Sequence, residues 1–380
     1  MSNILGIDLG GTSLDYVLAT DNGDILYEKS FDSPFKTTSK QLPDGKPEVF
    51  IDTIFKDVPN ELKVQTYIAQ TESEFLKEVK CHIGKTEIKR KGYSLCGKTW
   101  THDGKIVIIG GNTPSRFATN LGNNRIGIII VEPKTDVFVE ASNDGNAAAT
   151  AQGIYYKVIK GIDPVETGYF ILGTGFGFGV PKYFALTEIG HMPVGFVPKI
   201  FWQRCGCNDY QKTACAEHFV SGRGIQTCAT ILLSLKNQEI LKGISDDDHN
   251  LIELVKTSKL RNHNHLNSKI IMDYAKNNLD GLSNYITDIA AEVTAYAAIT
   301  AAQLFGLQLI GIGESIACQN PWHIENISRK VDSYVKGNTI LRPSLKVELT
   351  PLKNPSKYGA LSLVIPESRY EIWVKKMEKN

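Results

Sequence analysis

Two stretches of the chain repeat one layout, and that repetition restricts the fold more than any other feature. ILGIDLGGTSLDYVLATDNGDILYEKSF, residues 4–31, alternates apolar and polar residues on both sides of the turn Asp21-Asn22-Gly23, and Gly10-Gly11 breaks its first half. That alternation predicts an antiparallel hairpin. YFILGTGFGFGVPKYFAL, residues 169–186, again runs β-rich residues, a Gly-Thr-Gly turn and β-rich residues, about 160 positions further on. A duplicated core follows, with two glycine turns suited to one phosphate chain: Gly10, Gly11 and Thr12 in the first, Gly173, Thr174 and Gly175 in the second. At such turns no Cβ blocks an anion's approach to backbone N–H groups. Two purely structural hairpin turns are the plainer reading, and pairing within one chain favours the phosphate one.

VFVEASNDGNAAATAQGIYY, residues 137–156, predicts a strand ending at Asn143-Asp144 and then an Ala-rich helix. SNYITDIAAEVTAYAAITAAQLFG predicts a helix capped by Gly306, running into the strand and glycine turn of LQLIGIGES. Alternating strands and helices define an α/β protein. At 380 residues the chain suits two domains rather than one core. Residues 36–70 carry prolines and polar residues and read as an insertion or lid-like excursion. Residues 236–268 read as solvated, with His263 and His265 at the surface, and ESRYEIWVKKMEKN as an amphipathic helix.

GYSLCGKT, residues 92–99, matches the phosphate-loop pattern G-x-x-x-x-G-K-T. That pattern works only where a helix leaves the loop, because the phosphates need its free N–H groups. Here Trp100-Thr101-His102 lead into the turn Asp103-Gly104 and then a strand, so the stretch is a hairpin arm and Lys98 has no phosphate role.

A net charge of +1 gives no reason to expect nucleic acid as a partner, and KTEIKRK reads as a solvated strand face. The N-terminus has no signal-peptide layout and no apolar run reaches the ~18 residues a membrane helix needs, so no membrane partner and a cytoplasmic location are expected. Among seven cysteines, Cys205, Cys207 and Cys215 crowd together, which in a reducing compartment suggests metal before disulfide.

DLGGTSLD (residues 8–15), SNDGNAAATAQG, LGTGFGFG, EIGHM and CGC…CAEHFVSG resemble, in order and spacing, the motifs of the ROK family of sugar kinases and sugar-responsive repressors, within the actin and sugar kinase superfamily. The resemblance covers most of residues 1–20 and 110–365. It implies a two-lobed, actin-like ATPase (ribonuclease H-like) fold with a cleft between lobes: a smaller lobe over 1–119 with an insert near 36–90, a larger one over 120–356 carrying the zinc loop, and a C-terminal helix over 357–380 packing back on the first.

By the same resemblance the glycine turns bind ATP, Asp8 holds Mg²⁺ through water, and Gly311, Gly313 and Ser315 form the adenosine motif. Asp144 is the base that takes the proton from the sugar hydroxyl, a role a carboxylate suits; an Asx turn capping the helix fits the local sequence equally well. Asn143, Glu188, His191 and Glu217, with Asn120 in TPSRFATNLG, contact the sugar. Gly145 stands where most relatives have Ala. His191, Cys205, Cys207 and Cys215 resemble the family's structural zinc site, a closed set of one imidazole and three thiolates. The family pattern is C-x-C-G-x-x-G-C, whereas seven residues separate Cys207 from Cys215 here and both glycines are missing.

The implied activity is ATP-dependent phosphorylation of a hexose, glucose first, at the 6-hydroxyl, by a homodimer or homotetramer. N-acetylmannosamine, N-acetylglucosamine, fructose and allose are alternative acceptors within the family. A non-catalytic sugar-sensing regulator is the remaining alternative; the family's repressors place a DNA-binding domain ahead of the first motif, for which Asp8 leaves no room.

Overall fold

The computed structural model describes residues 3–84, 86–110, 113–122, 125–131, 136–181, 189–198, 200–201, 214–234, 250–336, 345–352 and 355–378. Contacts divide the chain into two compact units, residues 1–165 with 179–186 and 352–380, and residues 166–178 with 187–351. Residues 120–165 thus belong to the first unit.

The first unit opens with β1 (Asn3–Leu9), β2 (Ser13–Thr20) and β3 (Ile25–Asp32), joined by the two turns the sequence marks. Gly23 takes φ +85°, a left-handed conformation that a glycine holds without strain. Next come β4 (Thr37–Gln41), β5 (Pro47–Val49), α1 (Phe50–Ile54) and α2 (Asn60–Ile83). This corrects the lid-like reading of residues 36–70. Val64, Ile68, Phe75 and Val79 line one face of α2 and join Leu5, Ile7, Leu9, Tyr16, Tyr93 and Leu95 in one buried cluster. The Tyr16 hydroxyl, forced under that helix, donates to Ile68 O at 3.2 Å, and its ring stacks on Phe75 at 5.2 Å.

β6 (Ile88–Leu95), β7 (Lys98–His102) and β8 (Lys105–Ile109) follow, then β9 (Thr119–Asn120), β10 (Ile126–Val131), β11 (Phe138–Asn143) and α3 (Asp144–Lys160). The main sheet has the order β11-β6-β1-β2-β3, and β11, β6 and β1 run parallel. Lys98 of the GKT sequence opens the β7–β8 hairpin, so no helix leaves that loop.

The second unit contains β12 (Thr167–Leu172), β13 (Phe176–Gly179, its last residue grouped with the first unit), β14 (Pro193–Val194), β15 (Ala214–Cys215), α4 (Glu217–Val220) and α5 (Gly222–Ser234). It continues with α6 (Asn250–Thr257), α7 (Ser268–Lys276), α8 (Gly281–Phe305), β16 (Leu309–Gly313), α9 (Glu314–Gln319), α10 (Pro321–Lys336) and β17 (Lys346–Leu349). Its sheet has the order β13-β12-β16-β17, with the last three strands parallel. α8 ends as its sequence predicts, at Gly306 with φ +67°. In the stretch expected to be solvated, Leu251, Val255 and Leu260 are buried, while His265 is exposed.

α11 (Pro355–Ser362) and α12 (Tyr370–Met377) return to the first unit. α11 crosses the main sheet so closely that a Cβ on Gly92 would sit 1.7 Å from Ala360 O. α12 buries Trp373 completely, against Gly23. Among the described residues no helix is long and apolar enough to cross a membrane.

Candidate functional site

Parallel strands present their carboxyl ends along one edge, and in α/β sheets that edge is where ligands bind. In the first unit the register aligns Asp8 of β1 with Ser94 of β6 and Ser142 of β11. One step on, Leu9, Leu95 and Asn143 close the ladder, and the chain leaves it as Gly10, Cys96 and Asp144. With strands spaced about 4.8 Å apart, the backbones carrying Asp8 and Asp144 lie about 10 Å from each other. Ile7 and Leu9 point into the apolar cluster under α2, so alternation turns Asp8 to the opposite face, where Ser94 is wholly buried.

Asp144 is the first residue of α3, where the helix dipole favours a carboxylate. The cap is Asn143: its Oδ1 accepts from the Gly145 amide at 3.0 Å, and its Nδ2 donates to Gly97 O at 3.1 Å. Asp144 Oδ1 accepts from the same amide at 2.8 Å. Asn143 therefore does the capping, and its side chain is anchored at both ends. The helix start is itself wedged, since Asn146 Oδ1 accepts from Val180 N at 3.0 Å and a Cβ on Gly179 would lie 1.9 Å from Gly145 O.

Between the two carboxylates lies Cys96, which sequence reasoning assigned no place. Burial pushes its thiol pKa well up, and Asp144 and Asp8, in that order, push it further. The strand order puts the backbone of Cys96, just past the end of β6, between those of Asp8 and Asp144.

The first glycine turn closes with Gly10 N–H donating to Ser13 O at 2.9 Å. Gly11 and Thr12, both exposed, keep amides with no partner among the described residues. In the second unit Gly173 N–H donates to Gly175 O at 3.1 Å, and the amides of Thr174 and Gly175 likewise have no partner among the described residues. Each turn thus offers two successive donors, an arrangement that fits a polyanion such as a nucleotide's phosphates.

Parallel pairing sets Ile171 beside Gly313, so the second turn and the IGIGES stretch share one edge. The Ser315 Oγ lies 3.5 Å from a Cβ built on Gly173, and a Cβ on Gly313 would lie 2.2 Å from the Tyr169 hydroxyl oxygen. Glu314, immediately after, holds φ +74°. Such a conformation in a non-glycine residue costs energy and gathers at functional positions. Gly311 is the middle residue of β16.

The acceptor motifs divide. His191 is exposed at the end of a short turn, and Glu217 opens α4. Asn120 is exposed, and its Oδ1 accepts from Gly122 N at 2.9 Å. Its loop is held by Arg116, which pairs with Asp52 at 2.5 Å, and Lys63 adds a second cation at 3.6 Å. Three nearly buried charges thus tie that loop to α1 and α2, a long-range contact that local spacing does not encode.

Glu188, Cys205 and Cys207 lie outside the described residues. Of the expected zinc ligands, Cys215 is fully buried on β15, opposite Pro193 and so two residues along from His191. His191 itself precedes that strand pair and is exposed, so the described residues do not bring its imidazole and the Cys215 thiol together as a donor set. Among the described residues no group of three or more His, Cys, Asp and Glu is placed to hold a metal ion.

These strands, turns and carboxylates define an α/β fold of the actin-like ATPase class that sugar kinases use. A family model described as "ROK family" matches residues 129–366. The chain belongs to the ROK family, which includes sugar kinases and transcriptional regulators. Its fold is similar to a ROK hexokinase from Thermus thermophilus, 16% identical over 96% of this chain and 97% of that one, TM-score 0.59. A ROK family glucokinase from Streptomyces griseus, in complex with glucose and AMPPNP, is 18% identical over 95% and 98%, TM-score 0.55. A ROK family transcriptional regulator, a homologue of the E. coli MLC protein, is 15% identical over 100% of this chain and 81% of that one, TM-score 0.60. A search of curated proteins by sequence gave no match.

Proposed function

We propose that the protein is an ATP-dependent hexose kinase that phosphorylates the 6-hydroxyl, with glucose as the first acceptor to test. One observation carries the reading: Asp8 and Asp144 stand at the carboxyl ends of parallel strands with one strand between them, next to a turn with two amides that have no partner among the described residues. Phosphoryl transfer needs that combination, because it is mostly positioning and charge stabilisation plus a carboxylate to receive the acceptor's proton.

In this reading Asp144 accepts the proton of the attacking hydroxyl. Asn143, Asn120, Glu188, His191 and Glu217 hold the sugar, so that the hydroxyl meets the phosphoryl group in line. Gly10, Gly11 and Thr12, with Gly173, Thr174 and Gly175, cradle the phosphates, and Gly311, Gly313 and Ser315 receive the adenosine. Asp8 would hold Mg²⁺ through water; the ion neutralises phosphate charge when bound. His191, Cys205, Cys207 and Cys215 would hold a structural zinc ion that stiffens the acceptor loop. We further infer a cytoplasmic protein acting as a homodimer or homotetramer.

The test is a coupled ADP-release assay across glucose, N-acetylmannosamine, N-acetylglucosamine, fructose and allose, with zinc quantified on the same sample. Turnover with glucose is the expected result. Turnover only with an N-acetylhexosamine would move the acceptor within the family, and no turnover with any sugar would favour the regulator reading.

A further inference from the structure

The peptide that leaves the second glycine turn is gripped from two sides. On one side Phe176 N–H donates to Glu217 Oε2 at 3.0 Å, and a Cβ on Gly175 would lie only 3.1 Å from the same oxygen. On the other side a Cβ on Gly190 would lie 1.9 Å from Phe176 O, so only glycine fits there. Both gripping residues belong to the acceptor motifs: Gly190 sits in EIGH and Glu217 in CAEH.

The two motifs are also tied to each other. Ala216 N–H donates to Met192 O at 3.0 Å, and β14 pairs with β15 between them. The start of the turn is held from the same segment, because Gly222 N–H donates to Gly173 O at 2.9 Å. Residues 173–176, 190–192 and 216–222 therefore form one hydrogen-bonded cluster inside the second unit. Within it the internal bonds use the amides of Gly173 and Phe176, leaving those of Thr174 and Gly175 with no partner among the described residues.

We propose that Glu217 is a positioning residue for the nucleotide as well as an acceptor ligand: by holding the Phe176 amide, its carboxylate fixes the Gly173–Gly175 turn in the shape that presents two donors to phosphate. The inference rests on the kinase reading and deepens it. A group shared by two sites links them, so sugar contacting Glu217 changes the affinity for nucleotide, and nucleotide changes the affinity for sugar by the same factor.

The test is titration calorimetry of AMPPNP with Mg²⁺, in the absence of sugar, on the full chain and three variants. Glu217→Ala removes the acceptor, and a charged hydrogen bond lost beside the turn weakens nucleotide binding roughly tenfold or more. Glu217→Gln keeps an amide oxygen for Phe176 N–H and stays within roughly threefold of wild type. Gly190→Ala forces Phe176 O to shift and weakens binding roughly fivefold or more, although Gly190 has no side chain to offer a ligand. Thermal midpoints are recorded alongside; if Glu217→Ala does not fold, Gly190→Ala decides. Unchanged nucleotide affinity in Glu217→Ala or in Gly190→Ala overturns the inference, as does equal weakening in Glu217→Ala and Glu217→Gln. Wild-type protein that binds no nucleotide would instead sink the kinase reading itself.

Discussion

Asp8 and Asp144 stand at the ends of parallel strands β1 and β11 with only β6 between them, and the thiol of Cys96 lies within the field of both. Burial and these two carboxylates hold the thiol protonated, and only thiolate reacts with alkylating agents. Cys96 is expected to resist iodoacetamide in native protein at pH 8, whereas exposed Cys81 is modified. Peptide mass spectrometry before and after denaturation checks this. Native labelling of Cys96 at the rate of Cys81 would mean that the thiol is not buried.

Lys98 sits in a sequence that reads G-x-x-x-x-G-K-T, yet it opens strand β7. Lys98→Ala should leave the affinity for AMPPNP with Mg²⁺ within about twofold of wild type, since no helix N-terminus faces it. A loss of tenfold or more by calorimetry would restore the phosphate-loop reading.

Turn chemistry made the glycine-marked elements legible. Asp21-Asn22-Gly23 announces the β2–β3 hairpin and Gly306 the end of α8, because φ values of +85° and +67° are conformations glycine takes readily. The GKT stretch was legible for the same reason, its Asp103-Gly104 turn forbidding a helix. Residues 36–70 misled, because the polar, proline-bearing start masked the apolar spacing of Val64, Ile68, Phe75 and Val79 along α2. The switch from strand to helix at Asn143-Asp144 was legible from the residues, but not that Asn143 rather than Asp144 caps the helix. The grip on Phe176 joins residues more than ten positions apart at its backbone N–H and C=O, and the strain at Glu314 is a backbone angle; periodicity encodes neither.

His323, near the start of α10, is wholly buried, and neither ring nitrogen has a hydrogen-bond partner among the described residues. Burial pushes its pKa down from 6.5 to about 4, with Asp288 opposing weakly. The unfolded chain therefore binds a proton below about pH 6.5 that the folded protein refuses until about pH 4, so stability falls as pH drops through that window. The loss reaches about 3 kcal/mol at full extent, at 1.36 kcal/mol per unit. Urea unfolding at pH 7 and pH 4.5 should show His323→Leu losing about 2 to 3 kcal/mol less than wild type on acidification. Equal pH dependence in the two proteins would mean that His323 is solvated.

The central claim is that Asp144 receives the acceptor's proton, and steady-state kinetics of Asp144→Asn against the best sugar of the panel tests it most directly. The account predicts a kcat lower by roughly 10²- to 10⁴-fold with AMPPNP affinity and the unfolding midpoint kept, the range for losing a general base. A variant that turns over at the wild-type rate would contradict it.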